Sequence, residues 1–463
     1  MEDIEVLDLE ENKNSNNINN QNINNNEKKK GKKTKVIYHL KLQNIFCVIS
    51  ALFILGCCVF YGRRFIKYYY IYNPKGGDTT AIPLLAKNIT SNSEIVYEGS
   101  GLYHNDNYTY KGSVNNNYVM YSNMLWRIVR INSDNTIELI ADEYINLLNW
   151  DNDKKDYLNS NVYDYLNNYF GKRLNKDMLA ETTICTDKID DLANMTCDNK
   201  KKSGLVNLLD IKDFLNSTVD KESYLVDDDE IFWLKDSGEE IVWHTNGSNI
   251  SKSEGSNFYE IRPVITLKGS TIRYSGDGTK ENPYIIDKDQ KIGVGSSVKL
   301  GNDIWTIYDM DDNNYHLELS GVLTKQYRFS LNKISYEQAD EGSLYEYLNT
   351  TYLDELSYKD ILVEEEWNVG VFAGKYSDVT TKKVKAKIGL LNMQDIKFND
   401  SLDNYFLVTS NKDEYIYVYG SMLKNSKPAV YHNIRPCISI AKSNTFTQVE
   451  SDSIINLYTT EVK

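Results

Sequence analysis

The hydrophobic pattern of the chain changes at residue 42, where a run of uncharged residues begins that ends at residue 62. Apolar side chains dominate this run from Ile45 to Tyr61. A helix of roughly 20 residues spans a hydrocarbon core of about 30 Å. A cleaved signal peptide fits less well, because a long polar segment precedes the run, and a buried helix would be unusually long. The pattern predicts one transmembrane helix over 42–62.

The charges that flank this run predict its orientation. Lysines cluster between residues 28 and 41, whereas fewer cations, beginning with Arg63 and Arg64, follow the run. Loops rich in Lys and Arg stay in the cytoplasm. We therefore predict a cell-membrane protein with the lipid bilayer as a partner, a cytoplasmic N terminus and an extracellular C-terminal region. Residues 1–41 are polar and low in complexity, which predicts a disordered tail whose cytosolic partner the sequence does not identify.

Beyond the run, alternating apolar and polar residues predict β-hairpins. One pattern, YSNMLWRIVRINSDNTIELIAD, covers 121–142, and a similar one, LGNDIWTIYDMDDNNYHLELSG, covers 300–321. Each contains an apolar strand, a polar turn and a second strand. Trp126 and Trp305 hold the same place in the two patterns.

Three further blocks follow each hairpin in the same order, which predicts an internal duplication. YLNNYF at 165–170 matches YLNTTYL at 347–353, and the spacing of apolar residues in both predicts helices. GLVNLLDI from Gly204 matches GLLNMQDI from Gly389, and IRPVITL matches IRPCISI. The predicted segments are a juxtamembrane linker at 63–97, a first repeat at 98–290, a second at 291–445 and a C-terminal tail at 446–463.

The blocks WRIVRINSDNTIELI, GLVNLLDIKDFL and IRPVITLKGSTIRYSGDGTKENPYII resemble an uncharacterised domain family of surface proteins in Firmicutes and related low-GC bacteria. The resemblance covers about 98–290 well and 291–445 more weakly. It implies an anchored protein with one or more such modules, and no activity. The element order also resembles C-type-lectin or sulfatase-modifying-factor folds. The predicted fold class is therefore α+β, with a transmembrane helix and two tandem mixed α+β modules.

The IRP blocks carry two residue types with a predicted structural role. Arg262 and Arg435 would satisfy buried carbonyl groups or a carboxylate as their strands close the sheets, and contact with a ligand is the alternative. Pro263 and Pro436 cannot donate to a strand ladder, which predicts an edge or bulge position for both.

Composition excludes one function class and reveals little chemistry. The formal net charge of −14 argues against nucleic-acid binding, because phosphate contact needs a basic surface. No catalytic or nucleotide-binding motif occurs, and the five histidines are isolated, so no catalytic, cofactor-binding or metal-binding residue is predicted. The acidic runs Asp227–Glu230 and Glu364–Glu366 fit solvated loops, with cation or sugar binding as the alternative.

The cysteines predict one disulfide. Cys185 and Cys197 lie in one loop of the first repeat and are the candidate pair, whereas Cys437 takes the place of Val264 and should be buried.

The predicted function is a non-enzymatic surface binding or adhesion protein with an envelope or extracellular ligand. The alternative is an envelope-modifying enzyme or a membrane-anchored sensor. A cluster of buried carboxylates or histidines in one pocket would favour the enzyme. Exposed aromatic rims would favour binding, and the candidate aromatic residues are Trp233, Trp243, Tyr405, Tyr415, Tyr417 and Tyr419.

Overall fold

The protein is mostly β-strand, which corrects the predicted α+β class. The computed structural model describes residues 83–153, 156–226, 230–331, 336–337, 341–376, 382–398, 404–420, 422–449 and 457–460. Strands account for 40% and helices for 15% of the structure. The helical spacing around YLNNYF produces only a short helix, Asn161–Asp164, and a π-helix, Tyr165–Tyr169. Tyrosine and β-branched residues favour strands over most of the remaining chain.

The prediction of a single-pass membrane protein is not supported. The predicted span at 42–62, the tail at 1–41 and most of the linker at 63–97 lie outside the described residues. In the described ranges, no helix is long and apolar enough to cross a membrane. An eight-residue helix such as Leu85–Asn92 reaches about 12 Å, less than half of a hydrocarbon core. This finding does not support the predicted localisation in the cell membrane, and that prediction is corrected here.

The helices are short. The α-helices are α1 (Leu85–Asn92), α2 (Asn161–Asp164), α3 (Ile211–Ser217), α4 (Leu344–Tyr347) and α5 (Leu353–Glu355). The π-helices are Tyr165–Tyr169 and Leu348–Tyr352. The 3-10 turns are Tyr157–Asn159, Phe170–Arg173, Lys176–Met178, Leu192–Asn194 and Lys359–Ile361.

The strands fall into an N-terminal and a C-terminal half. The N-terminal half contains β1 (Gly101–His104), β2 (Tyr108–Lys111), β3 (Tyr118–Tyr121), β4 (Met124–Ile131), β5 (Ile137–Ala141), β6 (Asn146–Asn149), β7 (Thr183–Cys185), β8 (Lys200–Lys202), β9 (Val206–Asn207), β10 (Trp233–Ser237), β11 (Val242–Asn246), β12 (Asn249–Ser253), β13 (Phe258–Ile261), β14 (Val264–Leu267) and β15 (Tyr284–Ile285). The C-terminal half contains β16 (Ser297–Leu300), β17 (Asp303–Met310), β18 (Asn314–Leu319), β19 (Tyr327–Arg328), β20 (Glu365–Asn368), β21 (Lys383–Ala386), β22 (Ile388–Leu390), β23 (Tyr405–Asn411), β24 (Glu414–Tyr419), β25 (Met422–Ser426), β26 (Tyr431–His432), β27 (Pro436–Ala441), β28 (Phe446–Val449) and β29 (Leu457–Thr460).

Both halves contain the same strand order. The antiparallel neighbours β4-β5-β14-β9 in the first correspond to β17-β18-β27-β22 in the second. Each sheet also contains one parallel pair, β15 beside β3 and β29 beside β16. The segment assigned to the C-terminal tail, 446–463, thus contributes β28 and β29 to the second sheet.

The two hairpins match residue by residue. Trp126 pairs with Ala141, and Trp305 pairs with Leu319. Both registers then shift at a bulge, after which Arg130 pairs with Glu138 in one half, and Asp309 pairs with His316 in the other. A bulge changes the direction of the next side chain. Arg130 and Asp309, which follow the bulges, therefore give the two halves opposite charges at this position.

Two half-buried asparagines attach the π-helices to the sheets and correct the sequence alignment. The amide of Asn167 binds the backbone N–H and C=O of Val206, and Asn349 binds those of Ile388 in the same way. Val206 and Ile388 are therefore equivalent, whereas Gly204 and Gly389 are not. Each glycine is required for its own reason: a Cβ would meet Asn167 at position 204 and the Trp367 ring at position 389.

The IRP arginines have the predicted structural contacts. The Arg262 guanidinium donates to Ala141 O at 3.0 Å, and Arg435 Nε donates to the equivalent Leu319 O at 2.9 Å. Both arginines are buried.

The edge or bulge prediction is wrong for Pro436. This residue begins β27, which lies between two other strands, and the first residue of a strand needs no ladder donor. Pro263 directly precedes β14.

The cysteines occupy the places that the sequence indicated. Cys185 and Cys197 form a disulfide that joins the strand β7 to the end of its loop. Cys437 is buried, and it pairs with Glu318 as Val264 pairs with Ile140.

Candidate functional site

The C-terminal half contains a polar cavity of about 150 Å³ beside β17, β18 and β27. The hairpin β20–β21 and the turn after β22 complete its walls. Its ionisable lining residues are Asp309, His316, Glu365, Glu366 and Asp395. Tyr308 and Trp367 contribute aromatic surface.

The strand register places Asp309 and His316 in the cavity wall. The bulge after Ile307 directs Asp309 to the same wall as His316, its cross-strand partner. On the far side of His316, Ser439 Oγ lies 2.8 Å from the ring Nδ1, and Nε2 lies 3.3 Å from an Asp311 carboxylate oxygen. The imidazole is thus held by two polar neighbours.

Asp395 contributes a buried carboxyl group. A tight turn positions it, because Asn392 Oδ1 accepts the Asp395 N–H and an Asp395 oxygen accepts the Asn392 N–H at 2.9 Å. Burial raises the pKa of Asp395 to about 6. The carboxyl therefore titrates close to neutrality, where a small change of surroundings alters its charge.

The N-terminal half supplies one cation to this wall. Arg173 forms a bidentate ion pair with Asp309, with N–O distances of 3.0 and 2.6 Å. The Tyr169 hydroxyl lies 3.4 Å from oxygens of both Asp309 and Asp395. Asp309 is thereby neutralised by a residue of the other half.

The hairpin β20–β21 supplies the other two carboxylates. Glu365 Oε1 accepts a hydrogen bond from Asn314 Nδ2 at 2.7 Å, and Glu366 forms an exposed ion pair with Lys383 at 3.3 Å. Directly after them, the buried Trp367 donates its Nε1–H to Ala386 O. Its ring lies against Gly389, which fixes the hairpin to the sheet.

The N-terminal half fills the equivalent place with its own cations. Arg130, the counterpart of Asp309, forms ion pairs with Glu138 at 2.7 Å and with Asp213. Burial opposes the Arg130 charge, but these carboxylates outweigh it and raise the pKa. A second cation, Lys235, lies 3.0 Å from an oxygen of Asp210.

The turns show which carboxylates correspond. Asp213 N–H donates to Asp210 Oδ1 in the first half, as Asp395 N–H donates to Asn392 Oδ1 in the second. Asp395 is therefore the counterpart of Asp213, and the C-terminal half retains this carboxyl while Asp309 replaces its arginine partner.

The residues singled out from the sequence lie outside this cavity. The tryptophans Trp126 and Trp305 are core residues, and Arg262 and Arg435 bind backbone carbonyls. The acidic run Glu364–Glu366 was the one sequence signal for the site. Sequence reasoning missed Asp309, His316 and Asp395, because only the register brings them together.

The other sequence candidates are the acidic run Asp227–Glu230 and six aromatic residues. Residues 227–229 of the run Asp227–Glu230 lie outside the described residues. Of the candidate aromatic residues, Tyr419 is 42% exposed. Four form part of the core: Trp233, Trp243, Tyr405 and Tyr415. In the described part of the chain, no group of three His, Cys, Asp or Glu residues could hold a metal ion.

No family model, curated protein or solved structure matches this chain. The resemblance to bacterial surface-protein domains therefore stays a prediction, and the cavity is interpreted from its own geometry.

Proposed function

We propose that the protein is a binding protein that takes a small organic cation, an ammonium or guanidinium group, into the cavity of its C-terminal half. One observation carries the proposal. The position that holds Arg130 in the N-terminal half holds Asp309 here, while the carboxyl that Arg130 binds is retained as Asp395. The N-terminal half supports the proposal, because its own Arg130 places a positive charge at the equivalent position.

The charge balance of the cavity supports a cationic ligand. Asp309 is paired with Arg173, and Glu366 is paired with Lys383. Among the described residues, no lysine or arginine lies within ion-pair distance of Glu365 or Asp395. Burial disfavours the ionised form of Asp395 even with the charges of Lys397 and Arg173 nearby, and a bound cation would offset part of that cost.

The size and lining of the cavity limit the ligand. A volume of about 150 Å³ holds about five water molecules, which corresponds to a single aminoalkyl or guanidinium group. Trp367 and Tyr308 offer ring surface to such a group, and a cation over an aromatic face gains about 0.5–2 kcal/mol.

Titration calorimetry of the full chain with 1,4-diaminobutane and an alkylguanidine tests the proposal. A charge-assisted hydrogen bond contributes about 1.5–3 kcal/mol, so Glu365→Gln should weaken binding roughly tenfold to a hundredfold. Asp354→Asn removes an exposed carboxylate that is not among the cavity-lining residues and serves as the matched control. Affinity should rise from pH 5 to pH 7 as Asp395 loses its proton.

Two results would overturn the proposal. The first is the absence of measurable heat for either cation at millimolar concentration in low salt. The second is an affinity that is the same in Glu365→Gln as in the Asp354→Asn control.

A modifying enzyme is the second candidate, and one observation favours it. Asp395, with a pKa of about 6, and His316 lie in the same cavity, and a carboxyl group that titrates near neutrality suits general acid catalysis. If the protein is such an enzyme, Asp395→Asn should abolish turnover in a panel of glycoside and peptide hydrolysis assays. If the wild-type chain turns over none of these substrates, the binding proposal stands alone.

A further inference from the structure

A buried amine and a buried amide meet where the two halves contact each other. Lys397, in the turn region of the C-terminal half, is 1% exposed, and Asn146, in β6 of the N-terminal half, is 0% exposed. Lys397 Nζ lies 2.8 Å from Asn146 Oδ1. The flanking side chains of Leu147 and Met393 are fully buried, so water is excluded from the pair.

The surroundings of Lys397 make the neutral amine more accessible than it is for an ordinary surface lysine. Its other acceptors are the backbone oxygens of Asn392 at 3.0 Å, Met393 at 3.4 Å and Asp395 at 2.8 Å. Within the described residues, no carboxylate lies within ion-pair distance of Nζ. Burial lowers the pKa of Lys397 to about 8, so roughly a tenth of the amines are neutral at pH 7.

The surroundings of Asn146 polarise its carbonyl group. Oδ1 accepts the Leu147 N–H at 2.8 Å in addition to the Lys397 hydrogen bond, and Nδ2 donates to Met393 O at 2.9 Å. A fixed backbone N–H at this oxygen would stabilise the negative charge that develops there when the carbon is attacked. The C=O bond is about 1.23 Å long, so Nζ lies within about 3–4 Å of Cγ, close to a near-attack distance.

We propose that Lys397 and Asn146 form an intramolecular isopeptide bond that joins the two halves of the chain covalently. The neutral Nζ attacks Asn146 Cγ, and a carbon–nitrogen bond forms. A proton passes from Nζ to Nδ2, the Cγ–Nδ2 bond breaks, and Nδ2 leaves as ammonia. The amine and the primary amide become a secondary amide and ammonia, so no oxidant, reductant or second substrate is required.

The bond would lock an interface that the fold has already formed. Lys397 N–H donates to Ile145 O at 2.9 Å, so the backbone on both sides of the pair is fixed before any reaction. The cross-link would join positions separated by most of the β-structure, and neither half could then dissociate from the other. A noncovalent cap, in which Lys397 only binds carbonyl oxygens, is the alternative.

Intact-mass spectrometry of the full chain, denatured and reduced, decides between the two. Reduction removes the contribution of the Cys185–Cys197 disulfide. The cross-linked chain should weigh less than its sequence by one ammonia, and proteolysis should release a branched peptide that contains Asn146 and Lys397. Wild-type protein with the full sequence mass and no branched peptide would overturn the proposal.

Two variants and a matched control complete the test. Lys397→Arg and Asn146→Ala should restore the full mass, because a guanidinium is not a nucleophile and alanine has no amide. Lys212→Arg, at an exposed position, should keep the ammonia loss. The wild-type mass is decisive even if a variant fails to fold, and a mass deficit that persists in Lys397→Arg would also contradict the assignment.

Discussion

At the scale of single residues, a buried carboxyl group without a cation lowers the stability of the folded chain once it ionises. Asp395 forms no ion pair within the described residues, whereas Arg130 binds its counterpart Asp213, and burial raises the pKa of both carboxyl groups. At the same place in the strand register, one half has an arginine and the other has Asp309. The two halves therefore differ in charge at this position, although their strand pairing is the same. This is the physical basis of the proposed binding site.

Asp395→Asn should reduce the pH dependence of stability. The folded-state pKa of about 6 lies above the ordinary value of 3.8, so the folded chain binds the proton more tightly than the unfolded chain. The wild type should lose up to about 3 kcal/mol as the pH rises from about 4 through 6, and the variant should not. Denaturant unfolding at pH 4.5 and 7.5 measures the difference.

The exposed Asp354→Asn variant is the control for this measurement, and it should keep the wild-type slope. An equal loss of stability in Asp395→Asn and in the wild type would show that this carboxyl group does not carry the effect.

At the scale of elements, each π-helix is fastened to its sheet by one asparagine. Asn349 binds both backbone groups of Ile388, and Asn167 binds both of Val206. A π-helix has an irregular hydrogen-bond pattern and commonly occurs where function or packing requires it. Here the asparagine side chain completes the edge of the sheet at β9 and β22.

Asn349→Ala should destabilise the chain by about 1–3 kcal/mol. The substitution leaves the Ile388 backbone N–H without this partner, whereas the Ile388 C=O keeps the hydrogen bond from the Tyr336 hydroxyl, and a buried unsatisfied group costs about 1–3 kcal/mol. Asn168→Ala, which removes an exposed asparagine of the other π-helix, should cost less than about 0.5 kcal/mol. Similar losses for both variants in urea unfolding would contradict this role.

At the scale of the whole molecule, the two halves share one hydrophobic core cluster. Specific polar contacts join them as well. Asn146 donates to Met393 O at 2.9 Å, and the Tyr376 hydroxyl lies 2.7 Å from an oxygen of Asp164. The duplicated halves are thus joined by a packed interface and not only by the chain that connects them.

The described β-structure should unfold in one cooperative step. Tryptophan fluorescence and far-ultraviolet circular dichroism should give the same midpoint in urea, because the shared core couples the halves. Replacement of Trp305 and Trp367 by Phe would restrict the fluorescence signal to the N-terminal half. A fluorescence midpoint in that variant that differs from its circular dichroism midpoint would show that the halves unfold separately.

The sequence by itself determined the two hairpins, the repeated blocks and the disulfide of this protein. Alternation of apolar and polar residues predicted both hairpins, and the matching tryptophans and IRP blocks indicated the equivalent strands. Cysteine spacing indicated the disulfide that the structure contains. These features depend on residues that are close together in the chain or on repeated sequence blocks, and a single sequence shows both directly.

Only the tertiary structure decided the fold class and the site. The YLN blocks have helical spacing and are helical, but they form short π-helices in a mostly β protein. The GLVN and GLLN blocks align Gly204 with Gly389 in the sequence, but the folded chain makes other residues equivalent. The matching turn hydrogen bonds identify Asp213 and Asp395 as counterparts. Positions that meet through strand pairing leave no signal in local spacing, and for this reason the cavity and the Lys397–Asn146 pair emerged only from the folded chain.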